Sequence, residues 1–280
     1  MTYQQPMVHP TFPPSVPENK IDNPLQPINT QSSIEPDSHK TGFQVLDSED
    51  GVYIEQKLKP NEVIVGGENK YMYHVHPLNR KEDAPPLPLF KCREKTDFCQ
   101  RRCLPNACKP FKMEISMLYE TEGSIKYESY LHLERPCKCA CFGFNRNQVR
   151  VMLTEGGRNE YLGKIADPFN WCNLQLDIYS QDTLKYILFG NCCQAGIWFR
   201  CPCQACETLD LEIRSTSGEI ISKIQKGSLQ KNRENTADNF SVDFPKNIPP
   251  NDKLLLMSAV LFLDYKYFET NLKLRKRISH

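Results

Sequence analysis

Cysteine is the residue type with the most evident chemical potential in this sequence. The chain of 280 residues holds 13 cysteines, an odd number. Its N-terminal sequence lacks the charged head and following apolar stretch of a secretory signal, so none is predicted. We therefore expect reduced thiols, lipidated thiols or metal ligands rather than a disulfide framework, in a chain that faces the cytosol. Three groups stand out: Cys99, Cys103 and Cys108; Cys137, Cys139 and Cys141, here called the cysteine trio; and Cys192, Cys193, Cys201, Cys203 and Cys206, here called the five-cysteine group.

The cysteine trio has the spacing of an acylation site. Alternate positions on an extended loop direct three thiols the same way, with Phe142 and Phe144 beside them. Two or more acyl chains anchor a protein stably, at about 0.8 kcal/mol for each buried CH₂. Basic residues near the trio are expected to face lipid headgroups, each adding about 1 kcal/mol of attraction to an anionic surface. They are Arg135, Lys138, Arg146 and Arg150.

The five-cysteine group indicates a different chemistry. Cys201, Cys203 and Cys206, with Cys192 or Cys193, could supply a tetrahedral thiolate set for zinc, although the spacing matches no standard zinc finger. A third interpretation treats these cysteines as small buried hydrophobic residues or exposed free thiols. The residue types alone leave all three interpretations open.

Motifs of nucleophilic and phosphate chemistry are missing from the sequence. The chain has no GxSxG, HExxH, Walker or GxGxxG motif, and we therefore predict a protein without covalent catalysis. The formal net charge is +1, which gives no global field to attract nucleic acid, so no nucleic-acid partner is predicted.

Short β-type runs from about Thr41 onward must position these groups. The runs recur roughly every ten residues and are separated by turns such as Ser217-Gly218, a pattern typical of a closed antiparallel sheet. A mainly β fold follows, with a closed antiparallel barrel of about twelve strands whose lumen must be filled. The predicted strands are Val52–Leu58, Tyr71–His76, Phe111–Leu118, Ile125–Leu133, Val149–Leu153, Leu174–Tyr179, Leu184–Phe189, Ile197–Phe199, Leu209–Ile213, Ile220–Gln225 and Phe240–Phe244.

One apolar helix is predicted near the C-terminal end. The unbroken run from Leu254 to Leu263 is ten residues long and ends at Asp264 and Lys266, whereas a bilayer core needs about 20 apolar residues. A membrane span stays the alternative, but a helix threaded through the barrel explains a segment that is apolar nearly all round. The residues predicted to pack in the core are Leu254, Leu255, Leu256, Val260, Leu261 and Phe262.

The two ends of the chain differ in composition from the centre. Residues 1–40 contain eight prolines and little apolar periodicity, which predicts a disordered arm. Its three PxxP spacings could bind SH3-type domains through a polyproline helix. We expect the barrel and its helix to occupy residues 41–270, and residues 271–280 to form a basic tail.

Five strings resemble, in the same order, the phospholipid scramblase family. They are Cys108-Lys109-Pro110-Phe111; Leu133-Glu134-Arg135-Pro136 before the cysteine trio; Gly190-Asn191-Cys192; Ala237-Asp238-Asn239-Phe240 before Phe244-Pro245; and Asp264-Tyr265-Lys266-Tyr267-Phe268-Glu269. The resemblance covers about residues 45–270, behind a Pro-rich arm as is usual in that family.

The resemblance implies a tubby-like twelve-stranded barrel around a C-terminal helix, with the acyl chains on the cysteine trio. It also implies a calcium segment whose first and last acids are here replaced by Thr236 and Asn247. Asp238 is left as the clear carboxylate, Asp243 is an extra one, and Asp238, Asp243 and Asn247 are the candidate ligands. Calcium prefers six to eight oxygen ligands, several of them charged.

The function that this resemblance implies is phospholipid scrambling. We expect a protein attached to the cytosolic face of the plasma membrane that moves phospholipids between leaflets in both directions, without ATP and with calcium stimulation. The alternative is a peripheral, acylated lipid-binding or adaptor protein that recruits partners through its Pro-rich arm.

Overall fold

The elements of the fold follow the predicted β-rich pattern closely. A computed structural model describes residues 40–57, 71–78, 87–97, 110–121, 124–137, 147–155, 157–170, 173–191, 209–227 and 239–268. In chain order the elements are β1 (Lys40–Thr41), α1 (Gly42–Ser48), β2 (Gly51–Lys57), β3 (Met72–Pro77), β4 (Phe90–Glu94), β5 (Phe111–Thr121), β6 (Ser124–Arg135), β7 (Gln148–Glu155), β8 (Arg158–Ala166), β9 (Leu174–Ser180), β10 (Thr183–Gly190), β11 (Leu209–Ser215), β12 (Ile220–Lys226), β13 (Asn239–Asp243) and α2 (Pro250–Leu263), which a π-helical turn, Asp264–Phe268, extends.

Antiparallel pairing closes the sheet into a barrel. Neighbours in sequence pair from β2 to β13, β13 pairs with β2, and β1 adds a two-residue pairing to β5 outside the ring. The longest pairing joins β5 to β6, from Phe111 opposite Arg135 to Thr121 opposite Ser124. The predicted closed barrel of about twelve strands is confirmed.

The barrel interior is filled by α2. Inward side chains alternate with outward ones along the strands, as in β13, where Phe240 and Val242 are fully buried and Asp243 is exposed. Pro250 opens the helix, since proline suits the first turn and needs no amide partner there. All six side chains predicted to pack in the core are fully buried; they are Leu254, Leu255, Leu256, Val260, Leu261 and Phe262.

Four elements were not predicted from the sequence, and two predicted segments lie outside the described residues. The unpredicted elements are strands β1, β4 and β8 and helix α1, the last because only one helix was expected. The N-terminus of α1 is stabilised by a capping box in which the Gln44 amide donates to Thr41 Oγ1 at 3.2 Å and the Thr41 amide donates to Gln44 Oε1 at 3.1 Å. The predicted strand Ile197–Phe199 and residues 1–39 of the predicted arm 1–40 fall outside the described part of the chain, whereas Lys40 belongs to β1.

Candidate functional site at one rim of the barrel

The up-and-down strand order gives the barrel two unlike rims. We call one the cysteine rim: it is formed where even-numbered strands from β2 to β12 end and odd-numbered strands from β3 to β13 begin. We call the opposite end, where short turns join β5 to β6, β7 to β8 and β9 to β10, the turn rim. Strand pairs that meet at the cysteine rim include Phe111 with Arg135, Gln148 with Ala166, Leu174 with Gly190 and Leu209 with Lys226.

Every cysteine except Cys92 belongs to a connection that starts and finishes at the cysteine rim. This follows from the sequence positions of the thiols and from the described strand ends on either side of each connection. Cys92 instead lies within β4, is 2% exposed, and its thiol pKa is raised by burial. Because the thiolate is the nucleophile and the metal ligand, Cys92 suits neither acylation nor metal binding.

The cysteine trio begins at the end of β6. Cys137 is exposed two residues after the last residue of that strand, whereas Cys139 and Cys141 lie outside the described residues. All members of the five-cysteine group also lie outside them, between Gly190 at the end of β10 and Leu209 at the start of β11. Acylation and zinc binding therefore stay predictions.

The predicted headgroup-facing bases do not share one surface. Alternation along β6 turns Arg135 inward with Leu133, and Arg135 is only 3% exposed, so the structure differs here from the prediction that it faces headgroups. Arg150 points outward on β7 and is exposed, opposite Glu134 in register. Lys138 and Arg146 lie outside the described part of the chain.

Two of the three predicted calcium ligands, Asp243 and Asn247, lie within the described residues. Strand β13 holds Asn239 at the cysteine rim and Asp243 at the turn rim, about 13 Å apart at the usual rise per residue. Asp238, which precedes Asn239, lies outside the described residues; Asp243 and Asn247 are exposed. Calcium holds its ligands within about 2.6 Å, and calcium binding by Asp238, Asp243 and Asn247 stays a prediction because Asp238 is not described. Among the described residues, no group of three or more His, Cys, Asp or Glu side chains could hold a metal ion.

Polar contacts fix α2 at the turn rim. The ammonium of Lys253, which is 7% exposed, donates to the carbonyl oxygens of Leu46 at 3.1 Å, Asp47 at 2.7 Å and Glu49 at 2.9 Å. These carbonyls lie at the C-terminal end of α1, where a cation complements the helix dipole. The Tyr186 hydroxyl on β10 donates to Asp252 Oδ2 at 2.8 Å.

A second set of contacts fixes the helix at the cysteine rim. The Tyr73 hydroxyl on β3 donates to Asp264 Oδ2 at 2.7 Å, and both residues are buried. The Tyr265 ring packs on Phe111 with centroids 4.3 Å apart. Lys266 forms an ion pair with Asp167, which also accepts the Tyr267 hydroxyl at 3.2 Å. The helix is therefore held to the barrel wall at both ends.

Burial shifts the acid–base behaviour of the two tyrosines that hold α2. The pKa of Tyr73 is raised well above its ordinary value, first by loss of hydration and then by the neighbouring Asp264 carboxylate. The pKa of Tyr186 is raised by burial and by its hydrogen bond to Asp252. Both hydroxyls therefore remain protonated donors across the physiological pH range.

The residues that attach α2 to the barrel wall, and the exposed aromatic residue Phe169, were not identified from the sequence. Asp264 and Lys266 were noticed only as interruptions of the apolar run, although charged residues that flank a buried helix must find partners. Phe169, between β8 and β9, is 56% exposed at the cysteine rim. The only sequence feature that could have indicated a surface loop there is the preceding pair Asp167-Pro168. None of the described helices is long and apolar enough to cross a bilayer.

Sequence comparison shows that this chain is similar to phospholipid scramblases. The chain is 24% identical over 266 residues to phospholipid scramblase 2 of Bos taurus, which covers 93% of this chain and 79% of the bovine protein. It is 26% identical over 237 residues to phospholipid scramblase 2 of Homo sapiens, covering 81% of this chain and 70% of the human protein. Against phospholipid scramblase 1 of Rattus norvegicus it is 24% identical over 236 residues and spans 62% of that protein's length.

No solved structure gave a significant match to the chain. The family model described as Scramblase matches residues 29–270, which include every described strand and both helices. The chain belongs to the Scramblase family.

Proposed function

We propose that this protein is a membrane-attached phospholipid scramblase that moves phospholipids between leaflets in both directions without ATP. The observation that carries the proposal is family membership across residues 29–270, with relatives named phospholipid scramblase. No covalent chemistry is part of the proposal. The substrate is a phospholipid membrane.

Attachment to the cytosolic face of the plasma membrane is proposed to occur at the cysteine rim. Acyl chains on the cysteine trio would anchor the protein, because two or more chains bind a bilayer stably. Lys138, Arg146 and the exposed Arg150 would add attraction to anionic headgroups at about 1 kcal/mol each. The inward Arg135 is left out of this set because it is 3% exposed.

Translocation is tested with the full chain reconstituted in liposomes that carry a fluorescent phospholipid in both leaflets. A membrane-impermeant quencher then reports how fast inner-leaflet lipid becomes accessible. We expect a faster rate than in protein-free liposomes, unchanged by ATP. An unchanged rate with correctly reconstituted protein, in the presence and absence of calcium, rejects the scramblase proposal.

Attachment is tested by replacing cysteines with serine in cells. Exchange of the whole cysteine trio should remove the lipid label and release the protein to the cytosol. The matched control exchanges Cys99, Cys103 and Cys108, which are equal in number and belong to another connection at the same rim. Persistence of the trio variant at the membrane contradicts the proposed anchor.

Metal ions enter the proposal only as experimental variables. Because Asp243 and the start of β13 lie at opposite rims, we assign no calcium step to Asp238, Asp243 and Asn247; calcium stimulation is tested in the liposome assay. Zinc binding by the five-cysteine group is tested by metal analysis of protein purified without chelators. One zinc per chain that disappears when Cys201 and Cys203 become serine supports the site, and metal-free wild-type protein removes it.

A peripheral lipid-binding or adaptor role is the second candidate. The burial of α2 inside the barrel favours it, because a wall-bound helix offers no spanning route for a headgroup. In this role the Pro-rich arm would bind SH3-type domains through its PxxP spacings. Release of the trio variant from membranes combined with no lipid translocation by wild-type protein is the result that selects this role.

A further inference from the structure

The connection between β8 and β9 presents an aromatic side chain to solvent at the cysteine rim. Phe169 is 56% exposed, the highest value among the large hydrophobic residues of the described chain. Leaving a phenylalanine this exposed forgoes much of the stabilisation that its burial would provide. Its position, rather than its exposure alone, makes it informative, since single surface hydrophobic residues are common.

Polar contacts hold this connection in place. The Asp167 amide donates to the carbonyl oxygen of Asn147 at 3.0 Å, which ties the connection to the start of β7. The Asn173 amide donates to Asn170 Oδ1 at 3.2 Å, and Asn170 Nδ2 donates to Gln175 Oε1 at 3.3 Å. The described residues around Phe169 are thus held by hydrogen bonds, and groups that are already held lose little conformational entropy when they dock on a partner.

The charge of the connection is turned away from solvent. Asp167 is 4% exposed and is neutralised by Lys266 at the end of the central helix. The sequence after Phe268, which lies outside the described residues, is basic and holds Lys273, Arg275, Lys276 and Arg277. An outward aromatic, an inward acid and a basic continuation together favour an anionic apolar partner, which is the chemistry of a lipid leaflet.

We propose that Phe169 inserts into the headgroup region of an anionic phospholipid leaflet and docks the cysteine rim independently of acyl chains. The inference rests on the proposed membrane attachment. It adds a specific side-chain contact and an orientation, in which the cysteine rim faces the leaflet and the turn rim faces away.

The turn rim supplies the competing surface and the control. Leu87, Ile125 and Ile220 are exposed there by 42%, 51% and 48%, so exposure alone does not choose between the rims. Ile125 matches Phe169 in exposed fraction and lies at the opposite end of the barrel. Substitutions at these two positions therefore separate the orientations.

Binding is measured by co-sedimentation of the unacylated full chain with phosphatidylcholine vesicles that contain phosphatidylserine. Replacement Phe169→Ala should weaken the partition constant about 4- to 10-fold, from burial of roughly half a phenylalanine side chain. Replacement Ile125→Ala should leave it unchanged. An unchanged Phe169→Ala constant, an equal or larger loss for Ile125→Ala, or no measurable binding of wild-type protein each overturns the proposal.

Insertion itself is read by fluorescence. In vesicles with brominated acyl chains, Phe169→Trp should add a quenched emission that Ile125→Trp lacks, which a purely structural role would not produce. A solvent-exposed Trp at position 169 on bound protein overturns the proposal, as does a change confined to self-association, which would indicate a protein partner. These assays involve no lipid movement, so failure of translocation with intact insertion counts only against the scramblase activity.

Discussion

The hydrogen bond between Tyr73 and Asp264 offers a direct test of the buried helix. Both side chains are buried, 0% and 2% exposed, and the hydroxyl lies 2.7 Å from the carboxylate. Replacement Tyr73→Phe removes one oxygen and keeps the ring, so it deletes the bond without opening a cavity. A hydrogen bond to a charged group contributes about 1.5–3 kcal/mol, and we expect the free energy of unfolding to fall by about that amount.

A double-mutant cycle assigns this loss to the helix. In an Asp264→Ala background the hydroxyl has lost its acceptor, so Tyr73→Phe should cost less than about 0.5 kcal/mol. The resulting coupling of about 1–3 kcal/mol exceeds the deviation of about 0.3–0.5 kcal/mol found for independent sites. The measurement is urea denaturation of the full chain, and the single variant should also lower the Tm by roughly 3–12 °C for a domain of this size.

The control is Tyr127→Phe, because the Tyr127 hydroxyl donates to the carbonyl oxygen of Pro88 at 2.9 Å, away from the helix. This bond is neutral and partly exposed, so its loss should cost about 0.5–1.5 kcal/mol and show no coupling to Asp264→Ala. A Tyr73–Asp264 coupling indistinguishable from that of the control would refute the placement of α2 inside the barrel.

Three further perturbations test the same packing. Replacement Lys253→Met should destabilise by about 2–4 kcal/mol in urea denaturation, because three carbonyls lose a charged donor; a loss below about 1 kcal/mol contradicts the cap. The stability that Tyr73 and Tyr186 contribute should be fully present below about pH 10 and decline above it, because their raised pKa values make the folded chain bind more protons than the unfolded one. The decline should be at most about 1.4 kcal/mol per pH unit for each tyrosine, and replacement of both residues by Phe should flatten it. An unchanged slope of stability against pH argues against the burial of the two hydroxyls. Replacement Gly163→Ala places a Cβ 2.1 Å from the Tyr179 carbonyl oxygen, so it should lower the free energy of unfolding by about 1–3 kcal/mol because β8 must move away from β9. A variant with the thermal stability of the wild type would contradict this close approach of the two strands.

The sequence predicted the barrel because alternation and apolar run length report on burial. The interior helix was predictable because Leu254 to Leu263 is apolar nearly all round yet short. Helix α1 was missed although Thr41 and Gln44 form a readable capping-box pair, because only seven residues follow with little amphipathic pattern. Strand β4 was missed although Phe90, Cys92 and Glu94 alternate cleanly, because the Pro-rich run from Ala84 to Pro88 directly before it indicates a loop.

The cysteine rim was not predictable from the incomplete set of strands. In an up-and-down barrel, successive connections alternate between rims, so the number of strands between two cysteine groups decides whether they meet. Strand β8 was not predicted because it starts with Arg158-Asn159 and contains Gly163, residue types that are uncommon in strands. Without β8, the strand count places the cysteine trio and the five-cysteine group at opposite rims. The inward turn of Arg135 has a similar origin, because one residue of register along β6 decides which face it occupies.

The buried helix also restricts how this chain could move lipid. Helix α2 has 14 residues and is about 21 Å long, short of the roughly 30 Å of a hydrocarbon core. Its transfer into a bilayer would leave the barrel wall uncovered, and fully buried side chains such as Ile115, Leu133 and Leu176 would each lose about 1.5–3 kcal/mol of burial. A handful of such losses exceeds the 5–15 kcal/mol that stabilises a typical domain. Extraction of α2 is therefore equivalent to unfolding, so the proposed lipid movement by the folded protein would have to occur at its outer surface, which includes the proposed membrane contact at the cysteine rim.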